Sequence, residues 1–384
     1  MRVHLGTSMD GTDMHAPSFH LCVDGRCITN HFPGIGRVTS MLCQAWAKHP
    51  QVRRLDIIIN PHSPRDFFRL PEAQPHVQVH QLDAPPFGIK EWWQMRQLMR
   101  ILTPDWLYAP YFFMPPRHLP TKRMLTVHDA IPLELHTMSC IRQMILKQIV
   151  RFSMAQADSV TTVSRHAAQQ IQQYYAHSGP IEVIPNGVSD MFFGEPIAHE
   201  LTTFGITQPF GLCVSSNQPH KNLDGLIHAW AQAYRIGRIP RHSQLVIAGH
   251  VDTRRDMPWR NPHYADIPLI HISNPNDGLL NALYHAAHLF ILPSLAEGFG
   301  LPILEALAAE RVVLCHDYPT LKELHGDTVA YTDMRQPDHI ADAIHLLWHN
   351  HNARNRLTQR AKAHAQTFRW SVVADRYITH MHTR

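Results

Sequence analysis

From Phe19 onward, short apolar runs of strand length alternate with helix-patterned stretches, and the alternation restarts after a polar, Pro- and Gly-containing stretch from Ser189 to Pro209. Strands buried on both faces read as near-continuous hydrophobic runs, so such a series predicts parallel sheets flanked by helices. In the first half the runs are His20 to Asp24, Leu55 to Asn60, Val77 to Leu82, Trp106 to Ala109, Met124 to Val127, Val160 to Val163 and Glu182 to Ile184. In the second half they are Gly211 to Ser215, Gln244 to Ala248, Leu269 to Ile272, Leu289 to Leu292 and Val312 to Cys315. Helices are expected over Val38 to Lys48, Asn222 to Arg235, His339 to His349 and Ala353 to Thr367. A chain of 384 residues exceeds one ordinary core and suits two domains. Two doubly wound α/β units in tandem would bind ligand at their strand C-terminal ends, in a shared cleft.

Composition narrows the class. Hydrophobic content is 44%, and no apolar stretch approaches the length needed to cross a bilayer. Residues 1–18 read as a disordered leader rather than a secretion signal, because they contain no apolar core segment. The formal charge of +4 is too small to argue for nucleic acid. Six cysteines are scattered without a Cys-x-x-Cys pair, which fits reduced thiols in a cytosolic protein. Among 31 histidines no His-x-x-x-His or Cys/His cluster stands out as a zinc site.

The most informative segment is Pro293-Ser-Leu-Ala-Glu-Gly-Phe-Gly-Leu-Pro-Ile-Leu-Glu-Ala-Leu-Ala-Ala-Glu310. A buried strand leads into Gly298 and Gly300, which let the backbone turn sharply and approach a ligand. Pro302 suits the first position of a helix, which places Glu305 in the opening turn, where unpaired N–H groups favour an anion. Glu297 stays in the loop at the same mouth. Two carboxylates beside an anion site suit a ligand with many hydroxyls and an attached phosphate, and a nucleotide sugar has both.

That segment resembles the Glu-x7-Glu motif of family-4 type retaining glycosyltransferases, which have the GT-B fold of two facing Rossmann-like domains. Further segments resemble the family in the same order. Ser215-Ser-Asn-Gln-Pro-His-Lys-Asn follows a strand and opens a helix, as the family's phosphate loop does, with His220 where an Arg usually precedes Lys221. Thr126-Val-His-Asp-Ala is similar to the family's His-Asp segment, and Gly34-Ile-Gly-Arg37 to its Gly-Ile-Gly-Arg element. Ala309-Glu-Arg and Lys322-Glu-Leu depart from family habit. Ser164 is read as a helix N-cap, Asn186-Gly187 as a turn, and Lys90 to Ile101 as a helix with Trp and Met packed inward.

The resemblance implies residues 19–190 as an acceptor-side domain, a linker over 191–209, a nucleotide-sugar domain over 210–368, and a last helix, 369–384, crossing back. It implies that His128 contacts the donor sugar, with Asp129 as its orienting neighbour, and that Glu297 binds sugar hydroxyls. Donor binding falls to Lys221, His220, Glu305, Gly298, Phe299, Gly300, Leu301, Gly34, Gly36 and Arg37. No metal and no cofactor are implied, because no Asp-x-Asp occurs and the nucleoside diphosphate sugar is a co-substrate. The expected activity is retaining transfer of a hexose, first mannose from GDP-mannose, to a glycan or lipid-linked oligosaccharide in polysaccharide or lipopolysaccharide biosynthesis. UDP-glucose is the alternative donor, and a non-catalytic nucleotide-sugar-binding protein the alternative function. The expected place is the cytoplasm, with peripheral contact at the inner face of the cytoplasmic membrane.

Overall fold

The computed structural model describes residues 18–30, 33–65, 68–84, 88–114, 121–196, 201–207 and 209–384. The expected leader, apart from Ser18, lies outside them, as do residues 197–200 and 208 of the expected linker.

Two parallel sheets organise the chain. Strands β1 (Phe19–Asp24), β2 (Val52–Ile59), β3 (Val77–Gln81), β4 (Trp106–Ala109), β5 (Lys122–Thr126), β6 (Ser159–Thr162) and β7 (Ile181–Val183) lie in the order β3-β2-β1-β4-β5-β6-β7. Strands β8 (Phe210–Val214), β9 (Gln244–Gly249), β10 (Leu269–Ser273), β11 (Leu289–Leu292), β12 (Val313–His316) and β13 (Ala330–Thr332) lie in the order β10-β9-β8-β11-β12-β13. Each sheet therefore reverses direction once, between β1 and β4 and between β8 and β11. Such a reversal opens a crevice at the strand C-terminal ends.

Both faces of each sheet are covered. Trp46, Tyr108 and Ile57 belong to one buried cluster of the first domain, and Met95, Met99 and Leu125 to another. Within the helix Ile89–Leu102 the methionines point inward as expected, whereas Trp93 is 55% exposed. The expected inward packing of tryptophan is corrected there, because Trp93 lies two positions from Met95, off the buried stripe. Cys22, Cys27, Cys43, Cys213 and Cys315 are free and buried, and Cys140 is free and exposed.

The expected single helix from Ala353 to Thr367 is two, His351–Thr358 and Ala361–Gln366. The break turns Ala361 and Ala365 into the core against the helix Leu301–Ala308. After Phe368 the chain returns to the first domain: Val188 N–H donates to the Phe368 carbonyl at 2.8 Å, and the helix Trp370–His382 packs on Pro33–Ala47. Tyr377 O–H lies 3.3 Å from Tyr108 Oη in a buried network with Thr126 and Thr161. Gly187 does more than turn the chain. A Cβ there would meet the Trp370 ring at 2.5 Å, so the missing side chain admits the returning helix.

Candidate active site

The second domain's contribution is built at its reversal point. β8 runs into a short turn, Pro219–Lys221, before the helix Leu223–Arg235, while β11 runs through Ser294 to Gly300 into Leu301–Ala308. The two loops are tied by the Leu295 N–H, which donates to the His220 carbonyl at 2.8 Å. Lys221 Nζ then lies 2.7 Å from Glu297 Oε1. Burial works to raise the Glu297 carboxyl, but the Lys221 ammonium outweighs it and holds it below its ordinary value. Glu297 is therefore an anion, and Lys221 its counter-ion. His220 is not a second cation: burial and the neighbouring Lys221 charge lower its pKa to about 4.

Gly300 has φ +85°, a left-handed conformation that glycine adopts without strain, and it caps the helix Leu301–Ala308. The helix begins one residue before Pro302, so Glu305 sits in its second turn rather than the opening one, facing inward at 5% exposure. Both of its oxygens are engaged. Tyr284 O–H donates to Oε2 at 2.8 Å, and Arg37 Nε lies 3.4 Å from Oε1. Burial lifts the Glu305 carboxyl above its ordinary value against the opposing pull of Arg37 and Tyr284. The Phe299 side chain lies in the core, with its ring centroid 6.2 Å from that of Phe368. Leu301 packs against the cores of both domains.

From the first domain, His128 and Asp129 follow β5, and Asp129 faces the Glu297 loop. His128 Nε2 donates to the Pro110 carbonyl at 2.9 Å, and burial lowers its pKa to about 4. The ring is thus neutral, protonated on Nε2, with Nδ1 left as an acceptor. Pro110, not Asp129, orients it. Asp129 instead accepts the Ile131 N–H on Oδ1 at 3.0 Å, which fixes its carboxylate toward the second domain. A Cβ on Gly298 would fall 2.7 Å from Asp129 Oδ2. Burial raises the Asp129 pKa to about 6, opposed by the Ile131 N–H and aided by the Glu297 charge.

The Gly34-Ile-Gly-Arg37 element forms the first turns of Pro33–Ala47. Gly34 is exposed, with open space where a Cβ would be. Gly36 is closed over: a Cβ there would meet the Phe68 ring at 2.9 Å and the Cys27 carbonyl at 3.1 Å. That packing leaves no room for a side chain at this position. Arg37 reaches across the cleft, with Nη1 2.9 Å from Asp277 Oδ1 as well as its contact to Glu305.

Two inter-domain contacts escaped the sequence. Glu323 accepts the backbone N–H groups of Arg165 and His166 at 2.7 and 2.9 Å, capping the helix Arg165–Tyr175 from the opposite domain alongside its own N-cap Ser164. Tyr318 O–H donates to Glu134 Oε2 at 2.8 Å. A signal was present: that helix has no acidic residue in its first turn to offset its dipole. Two histidine pairs with four-residue spacing were also passed over, His76 with His80 and, on one helix, His345 with His349. The His345 and His349 rings both hydrogen-bond the Arg238 carbonyl at 2.8 Å, and no group of three or more metal-ligating side chains occurs among the described residues.

Two parallel-sheet Rossmann-like domains whose strand ends face each other give the chain a GT-B architecture. The chain belongs to the family described by the profiles for glycosyl transferases group 1, which matches residues 200–364, and Glycosyltransferase Family 4, which matches residues 33–191. It is similar to O-antigen chain mannosyltransferase B of Escherichia coli, 26% identical over 286 residues, covering 69% of this chain and 71% of the relative. It is also similar to the serotype-specific mannosyltransferase WbdA of Escherichia coli, 24% identical over 339 residues and 76% of this chain. That match spans 39% of the length of WbdA. The sucrose-phosphate synthase of Thermosynechococcus elongatus shares the fold at a TM-score of 0.75 and 16% identity, covering 96% of this chain and 99% of that one.

Proposed function

We propose that this glycosyltransferase moves a mannosyl residue from GDP-mannose to a glycan or lipid-linked oligosaccharide during surface-polysaccharide assembly, with retained anomeric configuration and without a metal ion. The observation that carries this reading is the Lys221–Glu297 pair at the sheet reversal, opposite His128 and Asp129. The mannosyltransferase names of the two relatives direct it to mannose and to O-antigen-like products.

Each group has a task in this scheme. Lys221 leaves Glu297 for the diphosphate as donor enters, and Glu297 accepts hydrogen bonds from sugar hydroxyls. Neutral His128 accepts one more through Nδ1 from the opposite wall. Glu305 exchanges Arg37 for the ribose hydroxyls, and the freed guanidinium turns to the phosphates. Positive charge on Lys221 and Arg37 stabilises the departing nucleotide, and that phosphate takes the acceptor proton on the same face. Closure of the cleft keeps water from the donor.

Kinetics with GDP-mannose test this. Glu297→Ala and His128→Ala should lower turnover at least tenfold while nucleotide affinity changes little, and activity should persist in EDTA. Donor binding without transfer to any glycan acceptor would favour a binding protein, and a strict Mg²⁺ requirement would overturn the metal-free step.

The acceptor reading extends to a membrane surface. The helix Cys140–Gln156 has exposed Ile141, Met144, Ile145 and Phe152. Its charged residues are Arg142, Lys147 and Arg151, with no acid. An apolar face with only basic charges suits an anionic lipid interface. Co-sedimentation with phosphatidylglycerol vesicles should be strong for the native chain and lost in Ile141→Glu/Ile145→Glu; equal binding of both would remove this helix from the contact.

A further inference from the structure

A second cavity lies at the opposite end of the second sheet from the donor cleft. It opens at the residues that precede β8, β11 and β12 (Pro209, His288 and Val312), and its volume is about 330 Å³. Lys221 and Glu297 follow the other ends of β8 and β11, so the length of a strand, about 15 Å, separates the two places.

The lining of this cavity is cationic. Arg311 and Arg354 supply the positive charge and Glu310 is its one acid; His285, His288 and His351 also line it, the first two shifted toward the neutral form by burial. That carboxylate is already engaged by Lys362 Nζ at 2.8 Å. Neither Arg311 nor Arg354 has a carboxylate at ion-pair distance among the described residues. Arg311 Nε donates to the Ala309 carbonyl at 2.9 Å, which fixes the guanidinium while its two terminal nitrogens hold no hydrogen bond in the described structure. Arg354 Nη1 donates to the Leu347 and Trp348 carbonyls at 3.0 and 2.6 Å, which fixes the second. Two guanidiniums held by backbone carbonyls, with no carboxylate at ion-pair distance among the described residues, therefore converge on one space.

We infer that this cavity binds a phosphomonoester of monosaccharide size, its phosphate held by Arg311 and Arg354 and its hydroxyls by Asn355 and the histidines. A guanidinium fork matches phosphate oxygens, and 330 Å³ lies at the small end of ligand cavities, which begin at about 300 Å³. Both guanidiniums are anchored before any ligand arrives, so little side-chain order is lost on binding. The same wall is continuous with the donor cleft's framework: Glu310 and Arg311 leave the C-terminal end of the helix whose second turn carries Glu305. The site does not depend on which sugar nucleotide the cleft accepts.

Calorimetric titration with inorganic phosphate and with a hexose 6-phosphate tests this in the full-length Lys221→Ala chain, where the donor phosphate loop has lost its cation. One site should bind the hexose phosphate more tightly than inorganic phosphate. Adding Arg311→Gln should weaken it at least tenfold. Asn355→Trp, at an exposed helix position that leaves the core untouched, should block it if the arginine variant does not fold. Absence of binding in Lys221→Ala, or binding unchanged by both substitutions, overturns the inference.

Discussion

Asp129 Oδ2 sits so close to Gly298 that a methyl group on that glycine would come within 2.7 Å of it. The carboxylate cannot retreat easily, because the Ile131 N–H holds its other oxygen. Gly298→Ala should therefore wedge the cleft at the Glu297 loop. Overpacking of this kind costs about 1–3 kcal/mol. We expect transfer to fall at least tenfold with nucleotide binding retained, read by comparing turnover with product-nucleotide affinity.

The same carboxylate makes a pH-dependent contribution. Its pKa is raised to about 6 in the folded chain, above the unfolded value, so its stabilising contribution is complete below the unfolded pKa and lost as pH rises through 6. Asp129→Asn keeps the Ile131 N–H bond and removes the charge facing Glu297. Thermal melts should show the variant more stable than the native chain at pH 8, by about 3 kcal/mol, and equal to it near pH 4.

Lys221→Ala strands the Glu297 carboxylate without its counter-ion. Removing one member of a buried pair costs about 3–5 kcal/mol where the other stays charged. Because the Glu297 loop remains partly open to the cleft, the expected loss of stability is smaller, about 2 kcal/mol. Nucleotide affinity should drop at least tenfold, and Lys221→Arg should restore part of it. Unchanged affinity would remove the diphosphate role.

Glu323→Gln should separate charge from hydrogen bonding at the inter-domain cap. Gln accepts one backbone N–H where Glu accepts two, and it no longer opposes the helix dipole. A stability loss of about 1 kcal/mol is expected, together with a larger radius of gyration in solution scattering as the domains part more often. An unchanged scattering profile would assign Glu323 to local capping alone.

Burial lowers His325 to about 3, and His128 and His220 to about 4. Their folded pKa values lie below the unfolded one, so the unfolded chain takes up protons first, and stability falls as pH drops below about 6.5. Each such histidine contributes a slope of at most about 1.4 kcal/mol per pH unit. His325→Leu keeps the buried volume and removes one titrating group. Its melting temperature should decline less between pH 7 and pH 5 than that of the native chain.

What could be read from the sequence followed from burial and turn chemistry. β4 and β11 are apolar throughout and coincide with the expected runs, and Ser164 caps the helix it precedes. β13 escaped because its three residues, Ala330–Thr332, are too few and too polar to register as a buried strand. His128, Glu305 and Arg37 were marked by motif, but their partners were not. The Pro110 carbonyl, Tyr284 and Asp277 reach the site through tertiary packing, which leaves no local pattern. Gly36 shows a related limit: the sequence did not reveal that it lies beneath Phe68.

The helix Trp370–His382 has a consequence for how the chain is made. Trp370, Val373, Ala374, Tyr377, Ile378 and Met381 complete the cluster that holds Trp46 and Tyr108. Domains emerge from the ribosome in sequence order, yet the first domain lacks one wall of its core until those residues have been synthesised. The second domain can close while the first still waits. The half that begins earliest therefore finishes last, with a strip of aromatic surface to shield until the final turns of helix arrive.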